Sequence, residues 1–545
     1  MTSTPAARRR ALLLGAAVAA LAPLASARAQ GFQFQAGDLE VSSSTYVGSA
    51  STVTVGQALP GGGNAVANGS YPGVFANESP DPSFGVTSPL FLNQFSLGGS
   101  VAAPTISAAG VYDVTAATGV VTSFSSKSEG ALNLSPDGTQ LTFVDYLSKP
   151  DTLDVSNSNT PGVAEPGNYT QNATARAVVT LDSHAQALVT PTNAYPGNNG
   201  RAAISANGVT YLAGNAGNAN GSAQVTAANG IQVLTAADGS TAGAANTTKA
   251  GSFSVAQTNP ATGLPYGTAA QIAKDKASKD DNYRGLTIND ATLYATKGSG
   301  SNGIDSVYQV GAAGALPTGN GSAAVNVLPG FPTALARAVT VTSGAGSNTN
   351  PTGINAPIPV GKVDAGFYPF GLYFANATTL YVADEGDGTM ADAGKDIEAG
   401  LQKWSLVNGT WKYDYTLQSG LNLGASYTIS GTDFAGDSGS YTTATDGLRN
   451  LAGKVDANGD VTIFGVTSTV SDSGDQGADP NELVAVTDSL AATTLPADEQ
   501  FVTVDQAVYG QVLRGASFAP VPEPASIALV GAGLAAVGAI RRRRG

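Results

Sequence analysis

The sequence contains no cysteine and a single histidine, His184. No disulfide framework, thiolate zinc site, iron–sulfur cluster or cysteine nucleophile can be built from it. The lone imidazole excludes multi-histidine metal centres. Charge is sparse as well, at 12% of residues. Helical periodicity is missing: no amphipathic 3.6-residue pattern persists through residues 30–520. What is abundant is glycine, 68 among 545 residues, beside 42% hydrophobic residues. That apolar content suffices for a core, and the length admits several ordinary domains or one large repeat fold.

The formal charge is −14, from 26 basic and 40 acidic residues. Eight of the basic residues lie at the two ends: Arg8, Arg9, Arg10 and Arg28, then Arg541, Arg542, Arg543 and Arg544. Without them the body carries 18 basic against 40 acidic residues, near −22. Such a body repels phosphate backbones, so nucleic acid is excluded as a partner.

Both ends read as addresses. After Arg8-Arg9-Arg10 comes an apolar run from Ala11 to about Leu24, then Ala27-Arg28-Ala29. Basic patch, short apolar run and small-x-small site are the signature of a secretory signal peptide over residues 1–29, cleaved by signal peptidase after Ala29. Arg9-Arg10-Ala11-Leu12-Leu13 partly resembles a twin-arginine signal, so Sec and twin-arginine export both stay open. At the other end, Val521-Pro522-Glu523-Pro524 precedes an apolar segment, Ala525 to Ile540, and then the four arginines. Sixteen helical residues cover roughly 24 Å, slightly short of a bilayer core, and terminal arginines snorkel and hold such a segment on the cytoplasmic side. This layout over residues 521–545 resembles the PEP-CTERM sorting signal of Gram-negative bacteria, with Pro522, Glu523 and Pro524 as the named motif. The resemblance implies transient anchoring in the inner membrane, cleavage by an exosortase, and delivery to the cell surface or extracellular matrix. Gly531-Ala532-Gly533-Leu534-Ala535-Ala536 fits a dinucleotide fingerprint, but too little chain follows it for the required helix and acid.

The body, residues 30–520, reads as many short strands between turn residues. One strand pair recurs, starting at Gly130, Arg201, Arg284, Phe370 and Arg449. Pro136-Asp137-Gly138, Asn207-Gly208, Asn289-Asp290 and Asn458-Gly459 supply the positive-φ turns that tight hairpins need. A sixth start, Arg514–Phe518, meets the tail before any partner strand. Strands at Asp38 to Tyr46 and Leu90 to Leu97 have no inner strand of their own. Joining these leftovers predicts an all-β, β-propeller ring closed by N- and C-terminal strands in one blade. It has six blades, or seven if one lies within 213–283 or 297–369. The body resembles other secreted bacterial propellers through its Ser135-Pro136-Asp137-Gly138 hairpin.

Hairpin geometry places Arg201, Arg284, Arg449 and Arg514 on one rim with Asp145, Lys297, Asp384 and Glu385. That rim is either a charged mouth or a belt of pairs between neighbouring blades, Asp384 with Arg449 for instance. The densest acidic stretch offers Asp384, Glu385, Asp387 and Asp392, followed by Asp396, as ligands for calcium, a hard cation that takes several oxygens from a Gly-containing loop. Asp456-Ala-Asn458-Gly-Asp460 reads as a hairpin turn. Asp472, Asp475, Asp479 and Glu482 form another acidic loop. His184 beside Ser183 and Asp182 does not make a triad, which assembles in space around an oxyanion hole. Trp404 and Trp411 read as aromatics packed between blades, or as a sugar platform.

These features lead to a non-enzymatic surface or biofilm-matrix protein that binds a polymer such as exopolysaccharide, an ion or a surface protein. A calcium-dependent propeller hydrolase, phytase- or esterase-like, is the alternative, and a passive matrix component the third reading.

Overall fold

The computed structural model describes residues 31–48, 86–152, 175–216, 226–234, 246–275, 279–346, 350–354, 357–432, 438–471 and 477–522, apart from 101, 102, 193 and 197, together with residues 52, 56 and 436. The structure is almost entirely β, as the patterning requires. The helices among the described residues are single turns such as Val114–Thr118 and Ala269–Ile272.

In chain order the first sheet holds β1 (Leu39–Thr45), β2 (Thr87–Ser100), β3 (Ala103–Asp113), β4 (Val120–Ser123), β5 (Asn133–Leu134), β6 (Leu141–Leu147), β7 (Arg176–Leu181) and β8 (Ala187–Thr192). Four-stranded meanders follow: β9 (Gly200–Ala206), β10 (Val209–Gly214), β11 (Ile231–Leu234) and β12 (Thr247–Gly251), then β13 (Leu286–Asn289), β14 (Thr292–Lys297), β15 (Ser306–Val310) and β16 (Val325–Val327). A small pair, β17 (Thr342–Ser343) and β18 (Val363–Asp364), precedes the meander β19 (Pro369–Asn376), β20 (Thr379–Asp384), β21 (Gly400–Val407) and β22 (Thr410–Leu417). The last sheet comprises β23 (Ser426–Thr432), β24 (Ser438–Val455), β25 (Asp460–Val470), β26 (Glu482–Ser489) and β27 (Val502–Gln506). The final strand, β28 (Gln511–Phe518), returns to the first sheet.

The tight turns form where glycine, asparagine and aspartate tolerate positive φ. Asn207 and Gly208 join β9 to β10 with φ of 52° and 76°. The β13–β14 turn is centred one residue later than the sequence suggested, on Asp290 and Ala291, because Asn289 still pairs with Thr292. Arg449 does not begin a strand; it lies inside the 18-residue β24, whose first half pairs with β23.

β28 pairs antiparallel with β1, from Leu39 opposite Phe518 to Thr45 opposite Gln511. The first and last strands of the body are therefore hydrogen-bonded neighbours, as the leftover strands implied.

β5 touches β9, β9 touches β13, β13 touches β19, β19 touches β24, β24 touches β28, and β28 touches β5. Small residues make this approach feasible. A Cβ on Gly285 would lie 2.2 Å from the Phe370 carbonyl oxygen, one on Gly371 2.4 Å from that of Arg449, and one on Gly515 2.7 Å from that of Gly130. At the same repeat position Asn450 instead donates Nδ2 to the Arg514 carbonyl at 2.5 Å. The apolar core sits between successive sheets. Its largest cluster runs from Ile204 and Tyr211 through Leu293 and Tyr308 to Trp404 and Trp411. Phe331 stacks on Trp404 at 4.0 Å, a contact worth about 0.5–1.5 kcal/mol beyond its buried area.

Candidate functional site

Arg201 in β9, Arg284 just before β13, Arg449 inside β24 and Arg514 in β28 do come to one end, and all four side chains are buried. Two of them, Arg284 and Arg514, hold the segment that runs from Ser123 to Gly130. Arg514 donates to the carbonyls of Ser123, Phe124 and Ser126, Arg284 to Ser128 Oγ, and Asn199 Nδ2 to Ser126 Oγ at 2.8 Å. A Cβ on Gly477 would collide with the Ser125 carbonyl, so this segment is tightly packed from several sheets at once. Arg201 turns to the Tyr283 carbonyl at 3.0 Å.

Glu385 is the anionic centre of this end. Arg449 Nε lies 3.2 Å from its carboxylate, Lys127 Nζ 3.7 Å and Arg284 3.9 Å. Burial pushes its carboxyl up, but Lys127, Arg284 and Arg449 together more than reverse this and hold it down at about 2. The pairing between neighbouring units thus runs through Glu385, not Asp384. Lys297 is buried beside Arg284: it pairs with Asp305 at 2.5 Å and donates to the Ser299 carbonyl at 2.9 Å, while Arg284 donates to Ser299 Oγ at 2.6 Å. Asp145 is buried beside Glu129, and burial raises its carboxyl well above the ordinary range.

The residues read as calcium ligands divide. Glu385 is occupied as described. Asp384 is buried and accepts from the backbone of Tyr368 at 2.9 Å and Gly386 at 3.0 Å. Asp387 accepts from Thr389 N at 2.8 Å, whereas Asp392 keeps a buried oxygen with no hydrogen bond. Sequence reading missed the company these residues keep. Asp364, Glu398 and Asp446 are buried in the same neighbourhood as Asp396, and each keeps one carboxyl oxygen without a hydrogen bond. Thr352 Oγ1 donates to Glu398 and lies 3.5 Å from Asp364 Oδ2. Burial raises Asp364 to about 6, Asp396 to about 7 and Asp446 to about 8, with neighbouring carboxylates adding to the last two. Among the described residues, no three carboxylate or imidazole side chains form a ready metal cage.

The minor candidates are structural. His184 is exposed, and Asp182 accepts from the His184 and Gln186 backbones, closing a turn without orienting the imidazole. Asp456 Oδ1 accepts from the amides of Asn458 and Asp460, as a hairpin turn requires. Trp404 and Trp411 are buried against Phe331, which leaves no ring face for a sugar. Asp479 is buried and accepts from Tyr441 at 2.7 Å and Thr443 at 3.1 Å. Asp472 and Asp475 lie outside the described residues.

The opposite, hairpin-turn halves of β5, β9, β13, β19, β24 and β28 line one cavity of about 210 Å³. Its polar lining comes from Asn133, Ser135, Thr287, Asn289, Tyr373 and Ser517, and among the described residues no charged side chain borders it. Ser135 and Phe518 belong to its lining, close to where the body hands over to the tail. Ala519 N donates to the Asp38 carbonyl at 2.9 Å, and Val521 N to the Gly138 carbonyl at 2.8 Å.

That handover coincides with a known signal. Residues 520–544 carry the PEP-CTERM protein-sorting motif. The PEP-CTERM signal marks the chain for export and for processing by an exosortase, as expected from Pro522-Glu523-Pro524. Pro522 is exposed at the surface; Glu523, Pro524, Arg541, Arg542, Arg543 and Arg544, like Ala27 and Ala29 of the leader, lie outside the described residues. Among the described residues, no helix is long and apolar enough to cross a membrane. No curated protein matches the chain by sequence. Similar solved structures include a Saccharomyces cerevisiae assembly of Dbp5 L327V bound to Nup159, Gle1 H337R, IP6 and ADP (8% identity, 88% of this chain and 95% of that chain covered, TM-score 0.25). Another is an ACO/RPE65 chimera (8% identity, 80% and 62% covered, TM-score 0.20). At such scores neither likeness bears on fold or function.

Proposed function

We propose that the exported body is a six-bladed β-propeller, its ring closed by β28 and β1, which serves as a non-enzymatic binding scaffold at the cell surface or in the exopolysaccharide matrix. One observation carries this reading: six strands from six repeats border a single cavity whose lining is uncharged, hydroxyl- and amide-bearing, and aromatic at Tyr373. On a body near −22, an uncharged concave site suits a neutral polymer segment, whose hydroxyls pair with amides and hydroxyls and whose rings pack on an aromatic face. The signal peptide over residues 1–29 and the tail over residues 521–545 bring the body to that polymer, with the tail holding it transiently in the inner membrane.

The test is co-sedimentation of the mature body with the organism's own exopolysaccharide. The native body pellets with the polymer, and Thr287→Asp with Asn289→Asp lowers the pelleted fraction. A body that stays in the supernatant sinks the polymer reading and leaves a surface-protein partner or a passive matrix role.

Calcium is favoured by a separate observation, the buried carboxyl oxygens of Asp392, Asp396 and Glu398 that accept no hydrogen bond. In that reading Asp384, Asp387 and Asp392 join Asp396 around the ion, while Glu385 keeps its arginines. A ligand at a hundred times its dissociation constant adds about 2.7 kcal/mol to the folded state. Millimolar calcium then raises the unfolding midpoint above that in chelator, and the hydrolase version also requires phosphoester or ester turnover. An unchanged midpoint ends both.

A further inference from the structure

We infer that, before processing, the hairpin-turn side of the body is held against the lipid bilayer, which covers the cavity mouth, and that cutting the sorting signal uncovers it. This rests on the reading that residues 525–540 enter the membrane.

The sorting motif starts at residue 520, yet Pro520 is buried and Val521 is hydrogen-bonded to Gly138. No spacer separates body from signal. Gly138 belongs to the turn between β5 and β6, and Ser135 of that same turn lines the cavity, as does Phe518 three residues before Val521. The tail therefore leaves beside residues that line the cavity, at the β5–β6 turn and the end of β28.

The tether is short. From Val521 to Ala525 there are four residue steps, which reach roughly 13 Å when fully extended. A body of this length has a radius of gyration of about 23 Å, so it is roughly 60 Å across. A tether so much shorter than the body, attached at the β5–β6 turn beside residues that line the cavity, keeps that side from turning away from the bilayer. The inner hairpin turns carry Asp137, Asp290, Asp456 and Asp460, which outnumber the exposed Lys454 over the Phe518 ring. Such a face gains nothing from anionic headgroups, so the tether alone holds it there, and the cut releases it.

The absence of cysteine makes the test clean, because one introduced cysteine is the only thiol. Asn289→Cys marks the mouth, and Thr389→Cys, exposed in the loop after Glu385, marks the arginine end. Each variant is made as the full chain in vesicles of phosphatidylethanolamine and phosphatidylglycerol, and as a body ending at Val521. The readout is the rate of modification by a polyethylene-glycol maleimide. If the mouth is open for about a tenth of the time when anchored, its labelling slows about tenfold relative to the truncated body. Thr389→Cys labels equally in both forms. Equal rates at Asn289→Cys overturn the inference. Pro136→Cys, on the exposed turn beside Ser135, gives a second reading should Asn289→Cys melt early. Flotation of the full chain with the vesicles is scored separately. A chain that does not float refutes membrane entry itself, whereas a floating chain with an equally labelled mouth refutes only the orientation.

Discussion

Replacing Glu385 by glutamine keeps the side chain's volume but removes the one anion that Lys127, Arg284 and Arg449 share. The carboxyl is held at about 2 against an ordinary 4.5. At about 1.4 kcal/mol per pKa unit, that shift corresponds to roughly 3 kcal/mol of stability at neutral pH. Breaking a buried pair by removing one partner costs a similar amount, about 3–5 kcal/mol. For a body near 490 residues the unfolding entropy is about 1 kcal/mol per degree, so the midpoint falls by about 3 °C. The sign in pH is fixed by the lowered pKa. Glu385 contributes fully above the unfolded value and loses its contribution as pH falls through about 2. The difference between native and Glu385→Gln is thus largest at pH 7 and fades toward pH 2. Differential scanning calorimetry at both ends measures it, with Arg449→Met alone and combined with Glu385→Gln to extract the coupling. Equal midpoints at pH 7, or a difference that persists undiminished at pH 2, would refute the reasoning.

The acids across that end behave in the opposite sense. Asp364, Asp396 and Asp446 are raised to about 6, 7 and 8. The folded chain therefore keeps protons that the unfolded chain gives up, and stability declines from about pH 4 to pH 8 by about 1.4 kcal/mol per pH unit for each such proton. Asp396→Asn makes the slope of midpoint against pH shallower, and an unaltered slope counts against the cluster as its origin. Gly371→Ala places a Cβ 2.4 Å from the Arg449 carbonyl oxygen and pushes β19 away from β24. The expected cost is about 1–3 kcal/mol, read by denaturant unfolding; a native-like midpoint would mean the strands are not held at contact there.

The hairpins were legible because their turns have a local chemistry: Asn207-Gly208 and Pro136-Asp137-Gly138 announce the bend within a few residues. The pairing of β28 with β1 was legible for another reason. Each end had a strand without a partner, and an unpaired edge demands one. The interior of the arginine end was not legible. The repeat put Arg284, Arg449 and Glu385 on one rim, but Lys127 comes from outside the recurring strand pairs, and no local pattern singled out Glu385 as the shared anion. Adjacent residues on an extended chain point to opposite sides, so choosing Asp384 as the partner of Arg449 missed by one residue and put the wrong carboxylate there. Asp364 and Glu398 were missed because isolated acids in a loop look solvated until the sheets close over them. The segment Ser123–Gly130 carried no signal beyond its small polar residues.

The β1–β28 pairing also orders events in time. Everything between these strands must be made before β28 exists to reach its partner, so the β1–β28 pairing cannot form until synthesis of the body is complete. Val521 follows Phe518 by only three residues, and the sorting signal begins at residue 520. A chain broken anywhere upstream lacks both its closing strand and its address. The strand that completes the first sheet and the signal that addresses the chain are thereby written into neighbouring residues, so a truncated chain loses both together.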